Sequence, residues 1–228
     1  MKGYDIVETI KLENHITFIR INPTDIKLTL SEVFLSLSDL SWINQFDKDY
    51  IKDSFKKKTE DTLEYISKNI IKSGDDKITQ HSGEYVISEL ARKAVISELF
   101  YLDVPLAELF KIKDIGNHGF DFYSENKNEI ILFGEAKYNS RQNAYGNSFE
   151  QIYRFVNDEK QDLSDITDID KFFKEKPLEN FHNGKKGFVA AFASKKTSTK
   201  TMLAGLKANK HYLQLKSFDE IICVAVNI

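Results

Sequence analysis

The feature of this 228-residue chain that most constrains its fold is an apolar run, Ile130 to Lys137, that ends with two charged residues, Glu135 and Lys137. A strand that is apolar on both faces is typical of the interior of a sheet that helices cover on both sides. The chain is long enough for one sizeable core, so the run predicts an α/β (α+β) fold. Because residues two apart in a strand point the same way, Glu135 and Lys137 share a face. Buried charges need a partner or a metal ion, so this strand end indicates a functional site.

A second acidic residue, Asp121, lies between two phenylalanines in another strand-like piece, Gly119–Tyr123. A turn-like segment centred near Asn128 separates it from the Glu135 strand, which predicts a hairpin with positions 121 and 135 opposite each other. Opposed residues are about 5 Å apart, and two carboxylates that close repel each other unless a proton or cation lies between them. A hard divalent ion, Mg²⁺ or Mn²⁺, suits such oxygen ligands. Two structural alternatives stay open: a register shifted by one residue, and an ordinary ion pair between Glu135 and Lys137 at an exposed strand end.

Hydrophobic periodicity predicts the remaining elements and two regions: an N-terminal extension of strands plus a helix (residues 1–78), packed on a core (residues 79–228). The first 45 residues are predicted to be extended. The middle of the chain has the order α-β-β-β-α-β, a mixed sheet flanked by helices. The predicted helices are Asp47–Lys72, Glu84–Leu102, a stretch around Phe149–Val156, and Thr199–Tyr212. The predicted strands are Leu109–Ile112, Gly119–Tyr123, Glu129–Lys137, Gly187–Ala193 and Glu220–Val226.

A third acidic residue, Glu84, lies on the inward stripe of its predicted helix, one turn from Ile87 and two turns from Ala91. Stabilisation by the helix dipole is the alternative reason for an acid at a helix start. A helix acid, an Asp in a strand and a Glu-x-Lys in the next strand, followed by a helix and a strand, resemble the PD-(D/E)xK nuclease superfamily over about residues 80–195. The residue before Asp121 is Phe120 rather than proline, at a position that varies in the superfamily.

The resemblance implies a metal-dependent phosphodiesterase on a restriction-endonuclease-like core. It implies that Asp121, Glu135 and the main-chain carbonyl of Ala136 bind Mg²⁺ or Mn²⁺. It also implies that Glu84 holds a water of the metal and that Lys137 orients or activates the attacking water. These roles are expectations for the residues that match the motif.

More narrowly, residues 83–84 (Gly-Glu), 119–121 (Gly-Phe-Asp) and 134–137 (Gly-Glu-Ala-Lys) are similar to the HamA-type nuclease subunit of the Hachiman anti-phage defence system. That resemblance implies a DNA-degrading defence effector that works with a helicase partner and is restrained until it is activated. Two segments outside the core could serve as a docking surface: the N-terminal extension, with aromatic residues such as Trp42, and the acidic stretch Asp158–Glu175. The partner is predicted to bind through the N-terminal extension, and a place in the internal core is the alternative for each aromatic residue.

Charge is segregated along the chain although the net charge is only −3. The segment from Gly184 to Lys216 has eight lysines and no acidic residue. It predicts a positive surface for the nucleic-acid backbone, with Lys195, Lys196 and Lys200 as contacts, and a solvated lysine-rich face is the alternative. Only four of the 32 basic residues are arginines. Because specific base readout favours arginine, this composition favours sequence-independent binding of DNA.

Two other functions compete with a sequence-independent nuclease. One is a site-specific restriction endonuclease of the same fold, and the other is a catalytically inactive nuclease fold that binds DNA or assembles a complex. The start of the chain lacks the layout of a signal peptide, and no apolar stretch approaches the roughly 18 residues of a membrane span. A single cysteine, Cys223, excludes internal disulfides. A cytoplasmic protein with no membrane partner is therefore expected.

Overall fold

The computed structural model describes residues 2–67, 80–111, 119–195 and 197–228. The strands of this part of the chain are β1 (Tyr4–Glu13), β2 (Ile16–Pro23), β3 (Phe122–Glu125), β4 (Ile131–Lys137), β5 (Gly187–Ser194) and β6 (Glu220–Asn227). The helices of its first half are α1 (Ile26–Leu37), α2 (Asp49–Ile66), α3 (Gln80–Leu99) and α4 (Ala107–Phe110). The helices of its second half are α5 (Tyr145–Arg154), α6 (Gln161–Ile169), α7 (Glu175–His182), α8 (Thr199–Ala208) and α9 (Lys210–Leu215).

The six strands form one mixed sheet in the order β1-β2-β6-β5-β4-β3. The four inner strands, β2, β6, β5 and β4, are parallel, and each edge strand runs antiparallel to its neighbour. All eight residues of β5 are buried, as expected for a parallel strand that is covered on both faces. The structure therefore confirms an α/β protein with a mixed sheet flanked by helices.

The hairpin that links β3 and β4 has the register predicted from its turn. Phe122 pairs with Gly134, and each further pair is centred on Asn128. The Asn126 side chain accepts hydrogen bonds from the backbone N–H groups of Asn128 and Ile130, which stabilises the turn. Gly134 leaves room for the Phe122 ring, since a Cβ atom there would lie 2.4 Å from that ring. The regular pairing ends there, and the next residue outward, Asp121, stays beside β4 because its backbone N–H donates to the carbonyl of Gly134.

Two sequence predictions for the N-terminal half are wrong. The first 45 residues are not all extended, because Ile26–Leu37 is a helix that begins where the Asp25 side chain accepts a hydrogen bond from the backbone N–H of Leu28. The predicted strand Leu109–Ile112 is also absent from the described residues, where 107–110 form a helical turn and Ile112 is not described. Short apolar runs have the same composition in buried turns and buried strands, so periodicity alone does not separate them.

The helices and strands predicted for the second half are found with one interruption, and the structure adds α6 and α7, which the sequence patterns did not predict. The predicted helix Thr199–Tyr212 is two helices, α8 and α9, because the side chain of Asn209 between them caps the first turn of α9. The predicted strands near Gly187–Ala193 and Glu220–Val226 are confirmed as β5 and β6. Of the predicted helix Asp47–Lys72, the structure describes the part up to residue 67, which includes α2.

The N-terminal residues are part of the main core. Strand β2 pairs with β6, so β1 and β2 extend the same sheet that contains β4. The Trp42 ring lies 5.2 Å from Phe55 and 6.0 Å from Phe172, measured between ring centroids. Trp42 is therefore partly buried and packs against the core. No helix of the described residues is long and apolar enough to cross a bilayer.

Candidate active site

Lys137 joins two carboxylates at the end of β4. Its Nζ lies 2.8 Å from Oε1 of Glu135, the residue two positions earlier on the same face of the strand. The same Nζ lies 3.5 Å from Oε1 of Glu84 on α3. The structure therefore brings together three of the residues that the sequence predicts for the site, from two elements that are far apart in the chain.

A glycine lets α3 approach the end of β4. A Cβ atom at Gly83 would lie 2.3 Å from the ring of Tyr138, which directly follows Lys137. Any larger residue at position 83 would displace that ring or the helix. The Gly83-Glu84 pair thus has a physical role: the glycine provides the close approach, and the next residue presents its carboxylate to Lys137.

Asp121 lies one residue before β3, where the regular ladder ends. Its backbone N–H donates to the carbonyl of Gly134 at 2.9 Å, and its own carbonyl accepts from the N–H of Ala107 at 2.9 Å. Its side chain then acts as the acceptor in place of a backbone carbonyl, because Oδ2 accepts a hydrogen bond from the N–H of Ala136 at 2.6 Å. These contacts place the Asp121 carboxylate beside β4, between Gly134 and Ala136, next to Glu135.

The pKa values of Asp121 and Glu135 are both raised, because the two carboxyl groups are buried close together. Burial, followed by the nearby carboxylates of Glu135 and Glu108, raises the pKa of Asp121 well above its usual value. Burial also raises the pKa of Glu135 to about 7, although Lys137 opposes this shift. Burial alone would lower the pKa of Lys137, but Glu135, Asp121 and Glu84 outweigh it and raise that pKa. Lys137 is therefore a permanent cation beside carboxylates that are held in an unfavourable environment.

The two acids next to β4 fit a divalent ion. Glu135 is 1% exposed, and its Oε2 is buried without a hydrogen-bond partner, while Oε1 contacts Lys137. A buried carboxylate oxygen without a partner is costly and is satisfied by a cation. Within the described ranges no group of three or more His, Cys, Asp or Glu side chains is arranged to hold a metal. Mg²⁺ is often bound through one or two carboxylates because it keeps several waters, so a third acidic ligand is not required for a site at Asp121 and Glu135.

Exposure increases from Glu135 outward. The side chain of Lys137 is 20% exposed and that of Glu84 is 50% exposed. The site is therefore closed at Glu135 and open to solvent at Glu84, so a large substrate has access from the Glu84 side. Ser148 of α5 supports the closed end, since its hydroxyl donates to the main-chain carbonyl of Glu135 at 3.0 Å.

Two of the predicted DNA-contacting lysines lie at the same edge of the sheet as Lys137. Parallel strands end at a common edge, and β5 ends at Ser194, directly before Lys195. The backbone N–H of Lys195 donates to Oδ1 of Asn143 at 2.8 Å, which joins the loops that follow β4 and β5. Lys200 is exposed in the first turn of α8. Lys196 lies outside the described residues.

The lysine-rich segment from 184 to 216 is not one surface. Lys185 lies two residues before the start of β5, and Lys216 lies four residues before β6, so both are at the opposite edge from Lys137. Lys216 forms an ion pair with Glu13, and Lys186 pairs with the buried Asp162. Sequence segregation alone therefore overstates the positive surface, because the chain crosses the sheet within this segment.

Sequence patterns gave no signal for two acids close to the site. Glu108 contributes to the raised pKa of both Asp121 and Glu135, and its helix α4 is joined to Asp121 by the Ala107 hydrogen bond. Asp165 is buried and contacts Phe120, directly before Asp121, and Tyr123, two residues after it. Glu108 directly precedes a segment predicted to be a strand, and Asp165 lies in the stretch predicted as a docking surface, so only the tertiary fold brings them to the site.

The chain shows no match to known proteins that would assign this site. No protein-family model, no curated protein and no solved structure matches it.

Proposed function

We propose that the chain is a metal-dependent nuclease that hydrolyses DNA phosphodiester bonds on a PD-(D/E)xK core. The observation that supports this most is the buried Oε2 of Glu135, which lacks a hydrogen-bond partner beside a second carboxylate, Asp121, while Lys137 occupies the other oxygen. Burying two carboxylates beside a lysine lowers the stability of the fold. The same groups are those that the hydrolysis of a phosphodiester requires. An inactive binding module would have no need for this arrangement.

Asp121 and Glu135 would hold the ion, with the carbonyl of Ala136 as the third protein ligand that the family resemblance implies. A divalent ion bound there polarises the phosphate and lowers the pKa of a coordinated water. Lys137 keeps its proton, because its pKa is raised. It therefore orients the attacking water and stabilises developing negative charge, and it does not act as a general base. Glu84, at the open end of the site beside Lys137, would hold a water of the ion, the role that the family resemblance implies.

The proposed substrate is duplex DNA bound through its backbone. Three of the four arginines are occupied in internal contacts: Arg20 with Asn227 and the 197–199 loop, Arg92 with Glu89, and Arg154 with Glu159. Few arginines are then left for bidentate contacts to guanine, which favours a sequence-independent nuclease over a site-specific restriction enzyme.

The direct test is incubation of the purified chain with linear and circular duplex DNA in Mg²⁺ or Mn²⁺. We expect degradation without a fixed banding pattern, and complete loss of degradation in excess EDTA. Discrete bands on plasmid DNA would instead support a restriction endonuclease. Tight DNA binding without cleavage under any divalent ion, with the site intact and metal bound, would support an inactive module.

Neutralising the lysines at the site edge should weaken DNA binding. Each phosphate contact contributes roughly 0.9 to the slope of log K against log salt on duplex DNA. The double variant Lys195→Gln/Lys200→Gln is therefore expected to lower that slope by up to about 2 and to weaken binding of all sequences alike. Fluorescence anisotropy at several salt concentrations measures this.

The matched control for this prediction is Lys185→Gln/Lys216→Gln, which removes the same charge from the opposite edge of the sheet. We expect the control to leave the salt slope close to that of the wild type. If the two double variants lower the salt slope equally, the segment acts only through its total charge. That result would contradict the proposal that DNA binds at the end of the sheet that contains Lys137.

The family resemblance further supports the proposal that a helicase partner restrains the nuclease in anti-phage defence. A sequence-independent nuclease threatens its own host's DNA, so restraint is required. We expect the chain to co-purify with a helicase encoded beside it, and the complex to cleave DNA more slowly than the free chain until it is activated. A chain that is fully active alone and harmless to its host would contradict the restrained-effector proposal.

A further inference from the structure

Asp165 of α6 is a buried carboxylate with four donors. It is 2% exposed. Oδ2 accepts hydrogen bonds from the backbone N–H of Phe120 at 2.9 Å and from the Tyr123 hydroxyl at 2.6 Å. Oδ1 lies 2.6 Å from Nζ of Lys111 and accepts from the Gln161 amide at 2.9 Å. Both oxygens are fully used, so this carboxylate has the donors that a buried charge requires.

The contacts of Asp165 lie on both sides of Asp121 in the chain. Phe120 is the preceding residue, and Tyr123 follows two residues later. Asp121 itself lies outside the regular ladder of β3, and within the described residues its hydrogen bonds are those with Gly134, Ala136 and Ala107. The backbone at Asp121 therefore depends on an additional attachment, and Asp165 provides it through an atom before and an atom after the carboxylate.

A glycine shows how closely this attachment fits. A Cβ atom at Gly119 would lie 2.7 Å from Nζ of Lys111 and 3.0 Å from Oδ1 of Asp165. A side chain at position 119 would have to move the Lys111 ammonium group and shift the Asp165 carboxylate slightly. The pair and the segment that leads into Asp121 thus form one packed unit.

We infer that Asp165 is a positioning residue for the metal-binding carboxylate of Asp121, an inference that rests on the proposed function. Groups that orient a metal ligand without touching the metal typically contribute 10- to 100-fold to metal affinity. Asp165 fits that role because it touches the backbone next to Asp121 and the Tyr123 hydroxyl. This explains why an acidic residue of the stretch 158–175 is buried, when the charge pattern predicted an exposed docking surface.

The test is Mn²⁺ binding to the purified chain by titration calorimetry at a temperature where each variant is folded. Asp165→Asn removes the charge and presents an amide N–H₂ group to two of the donors, so we expect Mn²⁺ affinity to fall about 10- to 100-fold. Tyr123→Phe removes a single hydroxyl and is expected to lower the affinity in the same direction. It decides the question if Asp165→Asn does not fold.

The matched control is Asp162→Asn, one turn earlier on the same helix. Asp162 is also buried and also pairs with a lysine, Lys186, but none of its recorded contacts reaches the segment around Asp121. A purely structural role would give Asp162→Asn and Asp165→Asn the same profile: lower thermal stability with unchanged Mn²⁺ affinity. We expect reduced affinity only for Asp165→Asn and Tyr123→Phe.

Two results would overturn the inference, and they are distinguishable. Wild-type Mn²⁺ affinity in folded Asp165→Asn and Tyr123→Phe would contradict the positioning role while leaving the metal site in place. The other result concerns the metal site itself. If wild-type protein binds no Mn²⁺, or if Glu135→Gln binds it as well as the wild type does, the proposed metal site is absent. The inference then fails together with the proposed function.

Discussion

Replacing Glu135 with glutamine is expected to abolish detectable DNA cleavage, with a loss of roughly 10²- to 10⁴-fold, the range for removal of one essential charged group. Glutamine keeps the shape of the side chain but lacks the negative charge that would hold a divalent ion. Because the buried Oε2 has no hydrogen-bond partner, the substitution breaks no recorded contact of that atom. Cleavage of duplex DNA under Mg²⁺, measured with the purified variant, checks this.

Lys137→Met should cause a loss of similar size by a different route. Methionine retains most of the side-chain length but removes the cation that lies between Glu135 and Glu84. A matched control is Glu179→Gln, which breaks a 2.9 Å ion pair with Lys176 on the exposed face of α7. We expect wild-type cleavage from the control. Wild-type cleavage rates in Glu135→Gln and Lys137→Met would contradict the proposed active site.

Without a divalent ion, the free energy of unfolding is expected to fall as the pH rises from about 4.5 to about 7. Burial raises the pKa of Glu135 to about 7, against 4.5 for an unperturbed glutamate. The folded protein then holds a proton that the unfolded chain has lost. The stabilisation is complete below pH 4.5 and is lost as the pH rises through 7. The shift corresponds to roughly 3 kcal/mol for this one group.

Urea denaturation in EDTA between about pH 5 and pH 8 measures this loss, and Glu135→Gln is its internal control. The variant has no carboxyl group to ionise at position 135, so its stability should depend less on pH and should exceed that of the wild type near pH 8. The pKa of Asp121 is shifted in the same direction, so some dependence should remain. A wild-type stability that rises over this range would show that the Glu135 carboxylate is not held in an unfavourable environment.

Divalent ions should reverse this trend. A metal that binds the ionised carboxylates competes with their protons, so its affinity should increase with pH over the range where Glu135 titrates. Binding to the folded state alone also stabilises the protein. The same two carboxylates thus destabilise the metal-free protein and would stabilise the metal-bound one, an arrangement typical of functional sites.

Local sequence patterns predicted the hairpin next to Asp121 and Glu135 because residues close together in the chain determine it. The turn near Asn128 and the alternation of side chains in a strand are sufficient to determine the register of β3 against β4. The same local logic placed Glu135 and Lys137 on one face. For Glu84, the inward position on a helix was readable from the 3.6-residue period, but its contact with Lys137 depended on the close approach at Gly83.

Non-local contacts account for what the sequence did not reveal. Residues 107–110 form a helical turn, and the hydroxyls of Thr59 and Thr62 donate to its carbonyl groups, a pairing across more than 40 positions. The charge pattern offered the acidic stretch that includes Asp165 as a docking surface, yet Asp162 and Asp165 are buried against lysines from other elements. The lysine-rich segment seemed to be one surface because charge was counted along the chain and not across the sheet.

The most direct measurement is a crystal structure of the chain soaked in Mn²⁺, with anomalous diffraction used to locate the ion. The predicted result is an anomalous peak between the carboxylates of Asp121 and Glu135, within coordination distance of both, that is absent from Glu135→Gln crystals soaked in the same way. A site that stays empty at saturating Mn²⁺, with Oε2 of Glu135 still without a partner, would contradict the proposal that this chain is a metal-dependent nuclease.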